Sequence, residues 1–496
     1  MSSHMQGFMN WMETKFMPIA TKVGSQRHLV AIRDGFISIM PVTMVGSIAV
    51  LLNVFVRDLP NIWWGEGNAF VESMAQFINV NANVYNGSIS VFAVCFAFAL
   101  GYHLSKSYDV NPIAGGVISF ASVVATMNFS TTFDYALENV SESALGTLQA
   151  AGLDAVSVDG VVTLQNVIAP GTISTVLTSA TGLFTALIFG LGCTMIYVKL
   201  MQAKITIKLP DSVPPAVNNA FTAMIPGIIA IYVAGVITQL CVVFFGAYPN
   251  DLITEWIQQP LLGLSQSVFS VVLVEFLMQL LWFFGIHGSN VLSPIIEGVY
   301  TPALLANLDV WNATHDVAQM PYMWTRGSFD AYTMMGGSGI TLAMLIAVFL
   351  FSKREDSRAI AKIAAPMGIF NINEPVIFGM PIVLNPLYLI PWVVVAPLTA
   401  CVAMAFTYAG IIPPVFIQVP WIMPVGLYAF FATGGSIAAA LVAFLNLGIA
   451  FVIWTPFVML ANRQQAAEEA LKAEEAEKAA AAAGNANLEA AVPAEE

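Results

Sequence analysis

Apolar residues run along most of this chain in blocks of helical length, broken at intervals by short polar stretches. Residues 46–56, 91–104, 113–127, 183–198, 225–245 and 268–286 are apolar or lie in apolar windows, and so do 341–351, 387–407 and 430–460. A helix needs roughly 20 mostly apolar residues to cross a bilayer, so these blocks predict an all-α polytopic membrane protein. Ahead of the first span, Phe8, Trp11, Met12, Phe16, Ile19 and Val23 recur at three- and four-residue steps, with Glu13, Lys15 and Lys22 between them. That pattern predicts an interfacial helix over 1–28, lying on the membrane face. After Leu460 the chain turns to Ala, Glu and Lys, a helical or disordered extension with nothing to bury.

Composition removes the soluble alternative. Hydrophobic residues make up 58% of the chain and charged ones 9%, against about a quarter charged in soluble domains. The net charge of −13 is no partner signal, because the tail 463–496 holds eight Glu against three basic residues. No nucleic-acid partner is expected. Cys95, Cys193, Cys241 and Cys401 all sit in apolar stretches without metal-ligand spacing, so they read as small buried hydrophobes, and neither a metal nor a cofactor is expected. The start lacks a compact apolar run followed by a small-residue cleavage site, so no cleavable signal is expected.

The basic residues are clustered. Lys15, Lys22, Arg27 and Arg33 precede or open the first span; Lys199, Lys204 and Lys208 form a second group; Lys353, Arg354, Arg358 and Lys362 a third; Arg463, Lys472 and Lys478 a fourth. No basic residue lies between Lys106 and Lys199, where the polar stretch 130–170 carries Asp134, Glu138, Glu142, Asp154 and Asp159. The positive-inside rule puts the four clusters and both termini in the cytoplasm and the acidic stretch outside. Counting spans between clusters gives about ten, with 331–351 as one of them. The stretch 287–326 reads as one span, a re-entrant hairpin, or both. The organisation expected is 1–28 interfacial helix, 29–260 N-terminal membrane half, 261–462 C-terminal membrane half and 463–496 cytoplasmic tail, with no soluble domain.

In lipid, non-helical backbone is tolerated only where protein buries it or where it lines a watery cavity. Helix breakers inside apolar segments therefore point at a site, and two stretches carry them with polar groups. In Trp282-Phe-Phe-Gly-Ile-His-Gly-Ser-Asn290, Gly285 and Gly288 flank His287, and aromatic residues precede it. Aromatic faces suit the C–H surfaces of sugars, and a helical turn would present His287 and Asn290 on one side. The bland reading is a His that caps a broken helix. In Pro366-Met-Gly-Ile-Phe-Asn-Ile-Asn-Glu-Pro-Val-Ile-Phe-Gly-Met-Pro381, three Pro and two Gly forbid a regular helix. Asn371, Asn373 and Glu374 lie at its centre, as expected of a re-entrant hairpin with a polar tip at mid-membrane. The competing reading is a cytoplasmic loop, which would expose Ile369, Phe370, Ile372, Val376, Ile377 and Phe378 to water.

Other polar groups read as structural. Glu275 has Gln279 one turn on as an internal partner. Arg33 and Asp34 anchor a helix start, and Arg326 and Asp330 are spaced for a helical pair. Gly336-Gly-Ser-Gly339 lacks the Lys-Ser/Thr of a nucleotide loop and is expected to serve close helix packing.

Three stretches together resemble the lactose/cellobiose/diacetylchitobiose family of phosphotransferase system (PTS) IIC subunits: Asn371-Ile-Asn-Glu-Pro-Val-Ile-Phe-Gly379, Phe284-Gly-Ile-His-Gly-Ser-Asn290, and Arg27-His-Leu-Val-Ala-Ile-Arg-Asp-Gly-Phe-Ile-Ser-Ile-Met-Pro-Val-Thr43. The resemblance runs almost to Leu460; the stretch 130–170 matches only loosely and the tail lies outside it. It implies a homodimer with about ten spans and two re-entrant hairpins, whose N-terminal half supplies much of the dimer contact and whose C-terminal half carries the sugar. It places the family's binding His on His287 and its binding Glu on Glu374, near the hydroxyl to be phosphorylated, with Glu374 as base or as orienter. Asn290, Asn371, Asn373 and Trp282 complete the expected substrate-binding set. The phosphoryl group would come from a Cys of a separate IIB protein, itself served by IIA. The resemblance thus implies a sugar permease of the bacterial inner membrane that takes a β-linked disaccharide. The rival is a proton- or sodium-coupled secondary sugar transporter, which broken helices and a buried Glu suit equally.

Overall fold

The computed structural model describes residues 25–489 apart from 138, 139, 159, 208, 211, 212 and 381, with 14, 15, 18 and 22 before them and the backbone alone at 180, at 216 and from 464 onward. Most of the interfacial helix expected over 1–28 lies outside the described residues.

In chain order, leaving aside three short helices at Ala69–Ser73, Leu145–Ala150 and Thr175–Thr178, the helices are α1 (Arg27–Asn53), continued through a π-helical turn at Val54–Asp58 to Trp64, α2 (Ala75–Asn86), α3 (Phe92–Ser107), α4 (Pro112–Val124), α5 (Leu183–Gln202), α6 (Pro215–Phe245) and α7 (Pro249–Ser265). There follow α8 (Val268–Phe283), α9 (Gly288–Ile295), carried through a second π-helical turn into α10 (Thr301–Thr314), α11 (Arg326–Tyr332), α12 (Thr341–Phe351), α13 (Glu355–Ile369), α14 (Glu374–Gly379), α15 (Pro386–Tyr408), α16 (Leu427–Ala432) and α17 (Ile437–Glu489). Among the described residues, seven helices are long and apolar enough to cross a membrane, or up to eight if α7 and α8 count as one bent span. Two shorter apolar helices, Pro112–Val124 and Ser338–Phe351, bring the count towards the ten expected. The ambiguous stretch 287–326 holds one span, Gly288–Thr314, followed by a largely non-helical connection.

The chain folds as two compact units. One comprises 22–265 and 293–315. Its first helix starts where the Gln26 side chain accepts the Leu29 N–H at 2.8 Å, satisfying one of the free donors of a helix start. In its core Phe36 stacks against Phe96 at 4.2 Å between ring centroids. Helices α3 and α4 meet backbone to backbone: a Cβ on Gly101 would lie 2.6 Å from the Gly115 carbonyl oxygen. Such small-residue crossings supply the close packing that lipid does not drive by itself. Arg33 pairs with Asp34 at 2.7 Å.

In the same unit, 130–170 is more than a polar connection. Strands β1 (Ser130–Leu137), β2 (Ala155–Val158) and β3 (Val161–Pro170) form an antiparallel sheet in the order β1-β3-β2. Val158 pairs with Val161 across the dipeptide Asp159-Gly160, the connection that two-residue hairpins favour. The strands are rich in Val, Thr and aromatic residues, which suit a pleated surface.

The other unit contains 266–292 and 316 onward. Helix α8 packs along α15, and α17 packs against α12 and α15. Trp392 and Trp454 are fully buried between them; Trp392 donates to the Gln279 carbonyl and Trp454 to the Gly339 carbonyl, each at 2.9 Å. Arg326 and Asp330 form the helical pair expected, at 2.8 Å, and Gln279 donates to Glu275 at 3.4 Å. The expected continuous span over 331–351 is broken instead. Helix α11 stops at Tyr332 and α12 begins at Thr341, because Gly336, Gly337, Gly339 and Ile340 all take positive φ, which no helix accommodates.

Candidate functional site

All six residues singled out from the sequence belong to this second unit, and they form two groups. The first sits at the end of α8. The helix runs to Phe283, and Gly285 at φ +77° turns the chain so that α9 can begin at Gly288. His287 caps that new start: its Nδ1 accepts the Asn290 N–H at 3.2 Å, and its carbonyl accepts the Asn290 and Val291 N–H groups at 3.1 Å. A ring nitrogen that accepts carries no proton, so the cap leaves the proton of a neutral imidazole on Nε2. Trp282 lies against this ring, with centroids 4.2 Å apart. Trp282 is only 4% exposed, and its indole N–H finds no acceptor among the described residues, a buried donor of the kind that usually has a partner. Asn290 is exposed one turn into α9, and its side-chain amide makes no hydrogen bond among the described residues. The bland reading of His287 as a helix cap is therefore correct as far as Nδ1 goes.

The second group is the tip between α13 and α14. Pro366 lies inside α13, which ends at Ile369, and Asn371 turns the chain at φ +63°. Asn is among the few residues that take this left-handed conformation at small cost. Both of its amide N–H groups and one acceptor position of its oxygen are then used by the fold. Oδ1 accepts the Gly336 N–H at 2.8 Å, and Nδ2 donates to the Trp421 carbonyl at 2.6 Å and the Met423 carbonyl at 2.9 Å. Asn373, 4% exposed, donates to the Ser338 carbonyl at 2.9 Å. Its Oδ1 makes no hydrogen bond among the described residues. Glu374 opens α14, is exposed, and forms neither hydrogen bond nor ion pair among the described residues. The two groups are stitched by the segment after α14, where Leu384 N–H donates to the Phe283 carbonyl at 3.0 Å and Val383 packs under Gly285.

The glycine run 336–339 was expected to serve helix packing. Gly339 does so, since a Cβ there would lie 2.7 Å from the Trp392 ring on α15, and the rest of the loop clasps the hairpin tip. A Cβ on Gly337 would lie 2.4 Å from Cγ of Asn373, so the loop needs a glycine there for contact as well as for its φ of +94°. The signal was present in the sequence, since four residues of Gly and Ser inside an apolar segment are a turn pattern as much as a packing pattern.

Between them the two groups hold one carboxylate, one imidazole, one exposed amide, one amide oxygen unbonded among the described residues and one indole with a buried N–H. That set suits a neutral polyhydroxyl ligand: the carboxylate gives the strong charge-assisted hydrogen bonds, and the indole covers an apolar ring face.

Residues 33–396 match the family described as phosphotransferase system, EIIC. The PTS cellobiose-specific EIIC component of Lactococcus lactis is 36% identical, over 94% of this chain and all of that protein. The oligo-β-mannoside-specific EIIC component of Bacillus subtilis is 32% identical, over 91% of this chain and 94% of that protein. Among solved structures, the crystal structure of the transporter ChbC, the IIC component of the N,N'-diacetylchitobiose-specific system, superposes with a TM-score of 0.80 at 29% identity, covering 92% of this chain and 99% of that one.

Proposed function

This chain belongs to the phosphotransferase system EIIC family, and from that premise we propose that it carries a β-linked disaccharide of the cellobiose, diacetylchitobiose or lactose type across the bacterial inner membrane and presents it to phosphorylated IIB. The observation that carries the reading is Glu374. In this unit Asp330 is paired with Arg326, and Glu275 is bonded to Gln279 and Thr333. Glu374, at a break between helices, has no internal partner among the described residues. An exposed carboxylate that the fold does not engage is left available to accept hydrogen bonds from a ligand.

In this reading Glu374 accepts from sugar hydroxyls and stands beside the one to be phosphorylated, as base or as orienter. His287 donates from Nε2, and Asn290 and the Asn373 Oδ1 bind further hydroxyls. Trp282 covers a ring face. Asn371 shapes the tip, since both of its amide N–H groups are already donated to backbone carbonyls. IIB docks on the cytoplasmic face and is served by IIA. The termini lie in the cytoplasm. The N-terminal membrane half, 29–260, forms the homodimer contact and the C-terminal half, 261–462, carries the sugar. The relatives' names support the substrate class: cellobiose, oligo-β-mannosides and diacetylchitobiose are all β-linked.

The test is calorimetric binding of cellobiose, diacetylchitobiose, lactose and maltose to the purified protein, repeated on Glu374→Gln and His287→Ala. Binding of one β-linked disaccharide that both variants lose is expected. Binding indifferent to both changes removes the site. Accumulation of free sugar rather than sugar phosphate, in cells that hold IIB and IIA, replaces the reading with coupled secondary transport.

A further inference from the structure

Glu275, on α8, is fully buried, and the proposed sugar contacts do not use it. Its Oε1 is bonded to the Thr333 hydroxyl, and its Oε2 lies 3.4 Å from the Gln279 amide nitrogen. The Thr333 hydroxyl also lies 2.7 Å from the Phe329 carbonyl, four residues back on α11. A threonine hydroxyl has one hydrogen, and a carbonyl can only accept. The back-bond to the i−4 carbonyl is the usual destination of that hydrogen in a helix. The contact between Thr333 and Glu275 is then between two oxygens with no hydrogen left, unless the carboxyl supplies its own. Among the described residues no cation is bonded to the carboxyl. The charged groups that face it, Arg326 and Asp330 on α11, are bonded to each other and offer it no net charge. From α15 the facing group is Trp392, whose N–H goes to the Gln279 carbonyl.

We infer that Glu275 is held as a neutral carboxylic acid that donates its proton to Thr333, and that this bridge positions the two halves of the sugar site. The positioning half of this inference rests on the sugar-binding reading above; the protonation half does not. Glu275, Gln279 and Trp282 follow at i, i+4 and i+7, one face of α8, and Trp282 packs on His287. On the other side, Thr333 ends α11 three residues before Gly336, whose N–H holds Asn371 at the hairpin tip. The bridge thus joins the helix that carries Trp282 and His287 to the loop that clasps the tip bearing Glu374. An ionised Glu275 would face the hydroxyl oxygen without a hydrogen between them and would push this junction apart. Glu275 is a positioning residue, acting through its proton.

The direct test is infrared spectroscopy of the purified full chain at neutral pH. The carbonyl stretch of a protonated carboxyl is expected in the parent and in Glu374→Gln, and absent from Glu275→Gln. No such band in the parent overturns the inference. Sugar binding supplies the second arm. Glu275→Gln, which keeps an N–H donor towards Thr333, is expected to bind within about threefold of the parent. Thr333→Val, which removes the acceptor, is expected to weaken binding about tenfold, the scale of one lost hydrogen bond. Should Thr333→Val fail to fold, Thr333→Ser, which restores the hydroxyl, is expected to bind like the parent. Equal losses in Glu275→Gln and Thr333→Val would show that a carboxylate is needed and would overturn the inference. A band in the parent together with no binding of any disaccharide removes the sugar reading and leaves the protonation standing.

Discussion

Removing the amide of Asn371 is expected to release the hairpin tip. In Asn371→Ala the Gly336 N–H, the Trp421 carbonyl and the Met423 carbonyl lose bonds of 2.8, 2.6 and 2.9 Å. Hydrogen bonds within membrane proteins average about 0.6 kcal/mol, because the alternative state also finds partners, so the three together contribute about 2 kcal/mol. Alanine at a left-handed position costs about 1 kcal/mol more, at a φ of +63° that the turn into Asn373 requires. The whole change is therefore about 3 kcal/mol. Asn371→Gly removes the same bonds without the steric cost and is expected to lose about 2 kcal/mol. Asn371→Asp keeps an acceptor for Gly336 but turns an oxygen towards two carbonyls, and it is expected to be the least stable of the three. Denaturant or thermal unfolding in detergent, followed by tryptophan fluorescence, ranks them, with sugar binding measured alongside. If Asn371→Ala unfolds with the parent, the amide does not hold the tip. If Asn371→Gly is less stable than Asn371→Ala, the backbone reasoning is wrong.

Gly337→Ala is expected to be more damaging than a change at most other glycines, since its Cβ would meet Asn373 at 2.4 Å and its φ of +94° disfavours any side chain; expression and gel-filtration behaviour read this directly. Glu374→Gln is expected to melt with the parent while losing sugar affinity, because its carboxylate has no internal partner among the described residues. His287→Ala, by contrast, is expected to lose about 1 kcal/mol with the helix cap as well as affinity, so thermal unfolding separates the two variants. The Arg354 side chain, bonded to Asp356, holds that carboxyl at about 2, below its ordinary 3.8. The fold thus prefers the ionised form, and its contribution is complete above about pH 4 and fades as the pH falls towards about 2. The side chain is 53% exposed, so screening keeps the effect small; melting temperature at low salt is expected to fall slightly more over that window in the parent than in Asp356→Asn.

What the sequence determined by itself was whatever follows from local spacing or from the demands of lipid. Spans declare themselves because about 20 apolar residues in a row have no other use. The breaks at 285–288 and 366–381 declare themselves because Gly and Pro inside such runs are expensive unless the chain turns there. The pairs Arg326–Asp330 and Glu275–Gln279 were legible because four residues along a helix are neighbours whatever the fold.

The tertiary structure alone decided the uses of groups whose partners lie far along the chain. Spacing could not show that the Asn371 amide holds the Gly336 N–H and the carbonyls of Trp421 and Met423, or that the Asn373 amide nitrogen holds the Ser338 carbonyl while its oxygen stays unbonded among the described residues. The glycine run serves both as a helix contact, at Gly339 against Trp392, and as a clasp, at Gly337 against Asn373, and the second use needed the docked hairpin tip to be seen. The sheet over 130–170 was hidden because a polar segment outside the spans carries no strong period. Thr333, fifty-eight residues from Glu275, could not be paired with it from spacing, since hydrogen bonds between helices depend on which faces meet. Local spacing is written in the order of residues; the choice of partner is made by packing, where the desolvation of each polar group is met only by the neighbour that the fold delivers.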